Sequence, residues 1–322
     1  MPKEICHFLV AKDVMAKLQE PMIRQSCLEH PNLVLLGSIF HDSLYYGSST
    51  EADLSRLADQ LHATEGQDSF AVLRELKSAG KIAEDESLFI AFWVGVASHI
   101  CTDIRFHPLV YAFSGDYYSQ DENTRLDAQR LHRQLESHLD FLFAGPTVTA
   151  REFQISRMLN ADKNKLTQIM NSLVTHGELF TGLSPKSILD ASKKYAWAQK
   201  LYQSQIAMLL SKRLRTIMPS GLRKMLCELG SLRTATSLDN KYRFLADSIT
   251  FNHPVTNEGI TAEVSSLREA AVADTIKLVS NLDRQSYGAC LDTGLPRVSV
   301  HEMRYYKDTH IARIRPETEK RV

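Results

Sequence analysis

The stretch from Leu88 to Cys101 carries no formal charge over its 14 residues, and it runs straight into His99-Ile-Cys-Thr-Asp103, with His107 four residues further on. A run of this kind is either a membrane span or the buried axis of a fold. Spanning a bilayer takes ~20 apolar residues, which this run does not reach. A charged segment also precedes it, Lys81-Ile-Ala-Glu-Asp-Glu86. It therefore reads as a buried central helix, and no transmembrane segment is expected. Residues i and i+4 lie one turn apart on one helix face, so His99 and Asp103 point into one place. A second pair follows in another strongly helical segment, His132-Arg-Gln-Leu-Glu136. Two such pairs describe two helices facing each other across metal ions.

The rest of the chain supports a large helical body. With 322 residues, 43% of them hydrophobic, it can bury one big core or two ordinary ones. Lys+Arg and Asp+Glu both number 38, so the formal net charge is zero. A chain whose main partner is a nucleic-acid backbone more often carries a basic surplus, which argues against nucleic acid as partner. The five cysteines, Cys6, Cys27, Cys101, Cys227 and Cys290, are odd in number, scattered, and form no CxxC pair. The opening Met1-Pro-Lys-Glu-Ile-Cys-His-Phe-Leu-Val10 holds no long apolar export core. Together these features predict reduced thiols and a cytoplasmic location.

Periodicity predicts helices over Phe8–Lys17, Glu51–His62, Phe70–Ala79, Ser87–Arg105 and Arg125–Phe143, with a Thr50-Glu-Ala-Asp53 box starting the second. Only Leu33–Phe40 reads as a short strand. Pro108 is expected to stop the fourth helix soon after Arg105, leaving His107 at its frayed end. Ala144-Gly-Pro-Thr147 is the clearest loop. Beyond it, helices are expected at Arg151–Leu159, Lys163–His176, Ser187–Met218, Leu222–Leu229, Asn240–Ser248 and Thr261–Leu282. The expected division is a site-bearing helical core over 1–146, a helical region over 147–303 packed on it, and a charged tail over 304–322. Eight of the twelve histidines precede residue 140. There is no internal repeat.

A lone HxxxD most often records an ordinary salt-linked helix pair. The conjunction of HxxxD, HxxxE and His107 is harder to dismiss, because a carboxylate can bridge two ions and a single imidazole nitrogen cannot. Zinc binds neutral imidazole and ionised carboxylate at about 2.0–2.2 Å and, in hydrolytic sites, keeps a position open to water. Other residues have bland readings of their own. His7 by itself reads as a partly buried structural histidine, Asp42 as a turn or cap aspartate, and His62 as a helix C-terminal histidine favoured by the dipole. His41 and His138 read as neighbours of the motif residues. Tyr45, Tyr46, Phe106, Tyr111, Tyr117 and Tyr118 read first as core or loop anchors, and their clustering beside Asp42 and His107 makes them candidates for pocket walls.

The segments Pro2-Lys-Glu-Ile-Cys-His7, Leu36-Gly-Ser-Ile-Phe-His-Asp42, Leu57-Ala-Asp-Gln-Leu-His62, Ser98-His-Ile-Cys-Thr-Asp-Ile-Arg-Phe-His-Pro108 and His132-Arg-Gln-Leu-Glu136 together resemble the zinc-dependent phospholipase C family, part of an all-helical superfamily shared with fungal single-strand nucleases. The resemblance covers residues 2–140. It implies an all-α, multi-helix metal-binding core with additional C-terminal helices, and two or three Zn2+ ions. It further implies Asp42, His62, His99 and Asp103 as ligands of one zinc, His107, His132 and Glu136 as ligands of a second, and His7 with a bridging Asp103 as part of a third. Secreted members of the family complete the third site with a processed N-terminal residue, whereas this chain opens Met1-Pro2. The implied activity is phosphodiester hydrolysis, with a phospholipid headgroup among the candidate substrates and Asp42 orienting or deprotonating the nucleophile. Two other readings stand beside it. His7, His41-Asp42 and Asp103 also imitate helical HD-type phosphohydrolases that act on nucleotides, and a catalytically silent, metal-stabilised scaffold would carry the same ligands.

Overall fold

The structure is a computed structural model, and it describes residues 4–47, 52–145, 152–204, 237–283 and 286–306. The fold is all-α. Eleven helices lie in order along the first three of these stretches: α1 Glu4–Lys17, α2 Pro21–Glu29, α3 Pro31–Gly37, α4 Phe40–Leu44, α5 Ala52–Leu61, α6 Ala71–Lys81, α7 Glu86–Ser114, α8 Glu122–Ala144, α9 Ile155–Ala161, α10 Lys163–His176 and α11 Pro185–Gln203. After a 3-10 segment at Asn240–Ala246, two antiparallel strands, β1 Ile249–Asn252 and β2 Gly259–Ala262, lead into α12, Val264–Asn281. The expected tail beyond residue 306, the Thr50 box, the Leu222–Leu229 helix and the 146/147 boundary lie outside the described residues.

Helix α7 is the axis around which the rest packs. It starts cleanly because Asp85 accepts from the Ser87 amide at 3.1 Å, an N-cap bond. It ends at Gly115, whose φ of 91° suits a residue without a Cβ. Helices α1, α2, α3, α6, α8 and α12 all lie against it. By length and composition α7 is apolar enough to cross a membrane, yet 83% of its most apolar stretch is buried inside this fold. Its apolarity is used in packing.

Pro108 does not stop this helix, contrary to expectation; α7 continues for six residues beyond it, to Ser114. An interior proline costs about 3 kcal/mol through the lost hydrogen bond and the clash with the preceding turn. Past it, Leu109, Val110, Tyr111 and Phe113 are all buried, and each such side chain contributes about 1.5–3 kcal/mol on leaving water. Packing outweighs the proline, and His107 sits inside a regular helix.

The expected strand at Leu33–Phe40 is also helical, split between α3 and α4. Pro31 at the first helical position preorganises α3, and a short apolar run cannot by itself distinguish a strand from a buried helix. Helix α11 ends at Gln203, where Ser204 turns to extended backbone, and the rest of the stretch expected to run to Met218, 205–218, lies outside the described residues. In place of the helix expected over Asn240–Ser248 there is a 3-10 segment at Asn240–Ala246 followed by β1, and the helix expected from Thr261 begins at Val264 after β2. The main core includes residues from α1 through α11 together with Ala271, Val272, Val279, Leu282 and Leu291.

Candidate metal centre

Close helix packing sets up the first part of the site. Helices α3 and α7 meet at Gly37 and Gly95, where a Cβ on Gly95 would lie 2.1 Å from the Val34 carbonyl oxygen. No side chain fits there. This approach brings the backbone break after α3 against α7, so that the Ser38 carbonyl accepts from His99 Nδ1 at 2.9 Å. One turn along α7, Asp103 faces the same interior point, with its Oδ2 3.1 Å from His99 Nε2. Helix α4 adds Asp42, whose Oδ1 stands 3.7 Å from His99 Nε2. Just past the end of α5, His62 Nδ1 donates to the Ala58 carbonyl at 2.8 Å, and its Nε2 lies 3.5 Å from Asp42 Oδ1.

A carbonyl can only accept, so His62 and His99 each carry a proton on Nδ1. Their Nε2 atoms are thereby aimed inward, where the lone pair of the neutral ring can meet a metal once any proton there is released. This is how ligating histidines are ordinarily held.

The second part lies between α7 and α8. His107, one turn beyond Asp103, places Nε2 3.4 Å from Asp103 Oδ1. His132 and Glu136 on α8 approach within 2.8 Å of each other. The seven side chains fall into two sets, Asp42, His62, His99 and Asp103, and then His107, His132 and Glu136. Within each set, one candidate ligand atom per residue lies within 4.8 Å of the others, and all seven are buried. Asp103 stands between the sets: Oδ2 faces His99 and His62, while Oδ1 faces His107 and also His7 Nε2 at 3.3 Å. His7 itself, on α1, is fully buried and stacks on His99 with ring centroids 4.4 Å apart.

These groups are arranged to fit cations. Both oxygens of Asp103, Oδ1 of Asp42, Nε2 of His62, His99 and His107, and both nitrogens of His7 are buried with no hydrogen-bond partner. Such atoms are costly to leave unmade. Apart from the 3.1 Å between His99 Nε2 and Asp103 Oδ2, their mutual separations of 3.3–3.9 Å are long for hydrogen bonds. They match the edges of a ligand tetrahedron, about 3.3 Å when zinc sits 2.0–2.1 Å from each donor.

Electrostatics point the same way. Burial by itself would raise the Asp103 carboxyl, but His107, His99 and His7 around it hold it well below the usual carboxylate range. Burial would likewise raise Asp42, and the nearby His99, His62 and His7 bring it below its usual value. Burial lowers His62, yet the Asp42 and Asp103 carboxylates outweigh that and carry it up to about 9. His132 is pushed well below the ordinary value, chiefly by burial. Asp42 and Asp103 are thus held as carboxylates, the form that binds a cation.

His41 belongs to neither set. Its ring stacks on His99 at 4.5 Å, both its nitrogens are buried without a hydrogen-bond partner, and burial lowers its pKa well below the ordinary value. His138 lies away from the centre, against Tyr242 and near Asp239.

A cavity of about 490 Å³ opens onto both sets, with Asp42, His62, His132 and Glu136 in its wall. Tyrosines form much of the remainder: Tyr45, Tyr46, Tyr111, Tyr117, Tyr118, Tyr195 and Tyr202, joined by Glu4, Asp59, Arg133 and Asp292. Phe106 is fully buried in a separate apolar cluster and takes no part. One lining residue escapes any reading of the sequence. Asp292 accepts from His107 Nδ1 at 2.7 Å, across 185 positions of chain, and from the Tyr118 hydroxyl at 2.6 Å. No periodicity or spacing marks it.

Compared with known families, residues 6–176 match the family described as zinc dependent phospholipase C. No curated protein and no solved structure matches the chain. The matched stretch spans all eight residues from His7 to Glu136 and stops well short of Asp292.

Proposed function

The chain belongs to the zinc-dependent phospholipase C family, and on that premise we propose that it is a phosphodiester hydrolase working through two or three zinc ions held by His7, Asp42, His62, His99, Asp103, His107, His132 and Glu136. The observation that carries this reading is the convergence of buried imidazoles and carboxylates, in two adjoining sets, on a cavity large enough for a phosphodiester.

When bound, zinc supplies Lewis acidity to the phosphoryl oxygens and lowers the pKa of water to about 7. The protein's own groups do the rest. Asp103 offers one oxygen to each set and so fixes their spacing. Of the two carboxylates in the first set, Asp42 is the one in the cavity wall, whereas Asp103 is wholly buried behind it. Asp42 is therefore the group placed to orient an attacking water and take its proton, with the scissile phosphorus lying in the cavity in front of it. The backbone carbonyls of Ala58 and Ser38 lock the imidazoles of His62 and His99, so no reorganisation is needed during reaction. The tyrosine walls enclose the remainder of the substrate; a phospholipid headgroup is a substrate class that fits this setting.

Metal analysis of the purified protein, paired with phosphodiesterase assays on His99→Ala and Glu136→Ala, tests the reading. Each substitution should remove zinc and lower hydrolysis by several orders of magnitude. Full activity in both would discard it.

A further inference from the structure

Asp292 is brought to the site by a turn that lies outside the stretch matched to the family. The turn is closed by Gly294 N donating to the Cys290 carbonyl at 2.8 Å and Cys290 N donating to the Leu295 carbonyl at 3.0 Å. Gly294 has a φ of 69°, and a Cβ there would lie 3.0 Å from the Ile104 carbonyl oxygen and 3.3 Å from the Pro108 ring. A glycine thus lets the turn sit directly on α7 at its proline. Leu291 N donates to the carbonyl of His62 itself at 2.9 Å. The turn is thereby tied to one candidate ligand by backbone while its carboxylate holds another.

That carboxylate is buried, 4% exposed, and both its oxygens are engaged. His62 and His99 donate their Nδ1 protons to neutral backbone carbonyls. His107 donates its proton to an anion. A carboxylate acceptor fixes ring and tautomer as a carbonyl does, and it also makes Nε2 a stronger donor to a metal.

We propose that Asp292 is the positioning carboxylate of the second zinc site, acting through His107, so that the C-terminal part of the chain completes a centre whose ligands all lie in the N-terminal part. This rests on reading His107, His132 and Glu136 as zinc ligands. It distinguishes the two sets, because the first has no acid behind its imidazoles among the described residues.

The test is a zinc titration of the full chain against a chromophoric chelator, with Asp292→Ala and Asp292→Asn beside the unaltered protein, and with thermal unfolding of each metal-free form. In Asp292→Ala the affinity for one ion should fall about 10–100-fold, the range for a lost partner behind a ligand, while the other ion binds as before. Asp292→Asn keeps an oxygen that accepts from His107 and should recover part of the loss. A titration of Asp292→Ala that superimposes on the unaltered protein overturns the proposal. So does an equal weakening of all ions together with a lowered metal-free melting temperature, which marks a general structural role. If Asp292→Ala fails to fold, Asp292→Asn decides: one weakened ion supports the proposal and unchanged affinities overturn it. An unaltered protein that takes up no zinc would overturn the proposed function itself, a result distinct from all of these.

Discussion

The carboxylate of Asp140 on α8 accepts from the backbone N–H groups of Cys6 at 2.8 Å and Ile5 at 3.3 Å, in the first turn of α1. Asp140 follows Glu136 by one turn, so one face of α8 presents an acid to the centre and a second acid to the start of α1. Cys6 immediately precedes His7. The bond therefore sets both the stability of α1 and the position of a histidine facing Asp103. Replacing Asp140 with alanine removes a buried charge-assisted cap and should destabilise the protein by about 1–3 kcal/mol. Denaturant unfolding of the metal-free protein reads this directly; an unchanged midpoint would show the bond to be idle.

Gly95→Ala should be among the most damaging single-methyl additions in the chain. The new Cβ would meet the Val34 carbonyl oxygen at 2.1 Å and the Ser38 nitrogen at 2.9 Å, both backbone atoms that cannot rotate aside. Overpacking typically costs about 1–3 kcal/mol. The separation of α3 from α7 would also stretch the bond from His99 to Ser38. Zinc affinity should fall along with stability, and a variant that loses stability while keeping its zinc affinity would contradict this coupling.

His41 discriminates between the two enzymatic readings. In the HD-type alternative it is a ligand; in the structure it stacks on His99 and belongs to neither set. His41→Phe preserves the stack and removes two buried nitrogens that lack partners. It should keep its full complement of zinc, with any loss of stability no more than the about 1–3 kcal/mol of a larger ring at a buried position. Loss of a metal ion from this variant, by elemental analysis, would favour the alternative.

Much of the centre was legible because its geometry is local. His99 with Asp103, and His132 with Glu136, are i,i+4 pairs within single helices, and helical periodicity alone puts each pair on one face. Asp42 and His62 look like ordinary turn and helix-end residues in isolation, and only the resemblance to a family made them candidates. Asp292 was out of reach, since it meets His107 through a loop contact 185 positions away. The misread elements share a cause. At Pro108 and at Leu33–Phe40 local preference pointed one way and burial against neighbouring helices decided otherwise. The alternating burial of β1 covers only four residues, too few to stand out from the helical background.

The four described cysteines should be inert in the native protein. All are buried and unpaired. Burial pushes the thiols of Cys27, Cys101 and Cys290 up to about 12 and that of Cys6 well above its ordinary value, with Asp140 adding to the last. Thiolate is the reactive form, so alkylation at pH 8 followed by peptide mass analysis should find these four unmodified until denaturant is added. Modification of Cys6 under native conditions would mean that α1 opens.

Chelation and alkaline pH should act together. In the metal-free protein His62 holds its proton up to about 9 because of the carboxylates around it, against about 6.5 in an unfolded chain. A folded-state pKa raised in this way contributes stability that is complete below 6.5 and is lost as pH climbs through 9. The lowered pKa values of Asp42 and Asp103 act at the other end: their contribution is present above the ordinary carboxylate range and is lost on acidification. Zinc competes with the His62 proton for the same Nε2. Its binding at pH 7 should therefore release that proton, and its apparent affinity should rise toward pH 9. The gap in melting temperature between zinc-loaded and chelated protein should consequently widen from pH 6.5 to 9, because the chelated form loses stability there while the loaded form does not. Melting curves of both forms across that interval measure it. A gap that stays constant or narrows would mean that His62 and zinc do not share a site.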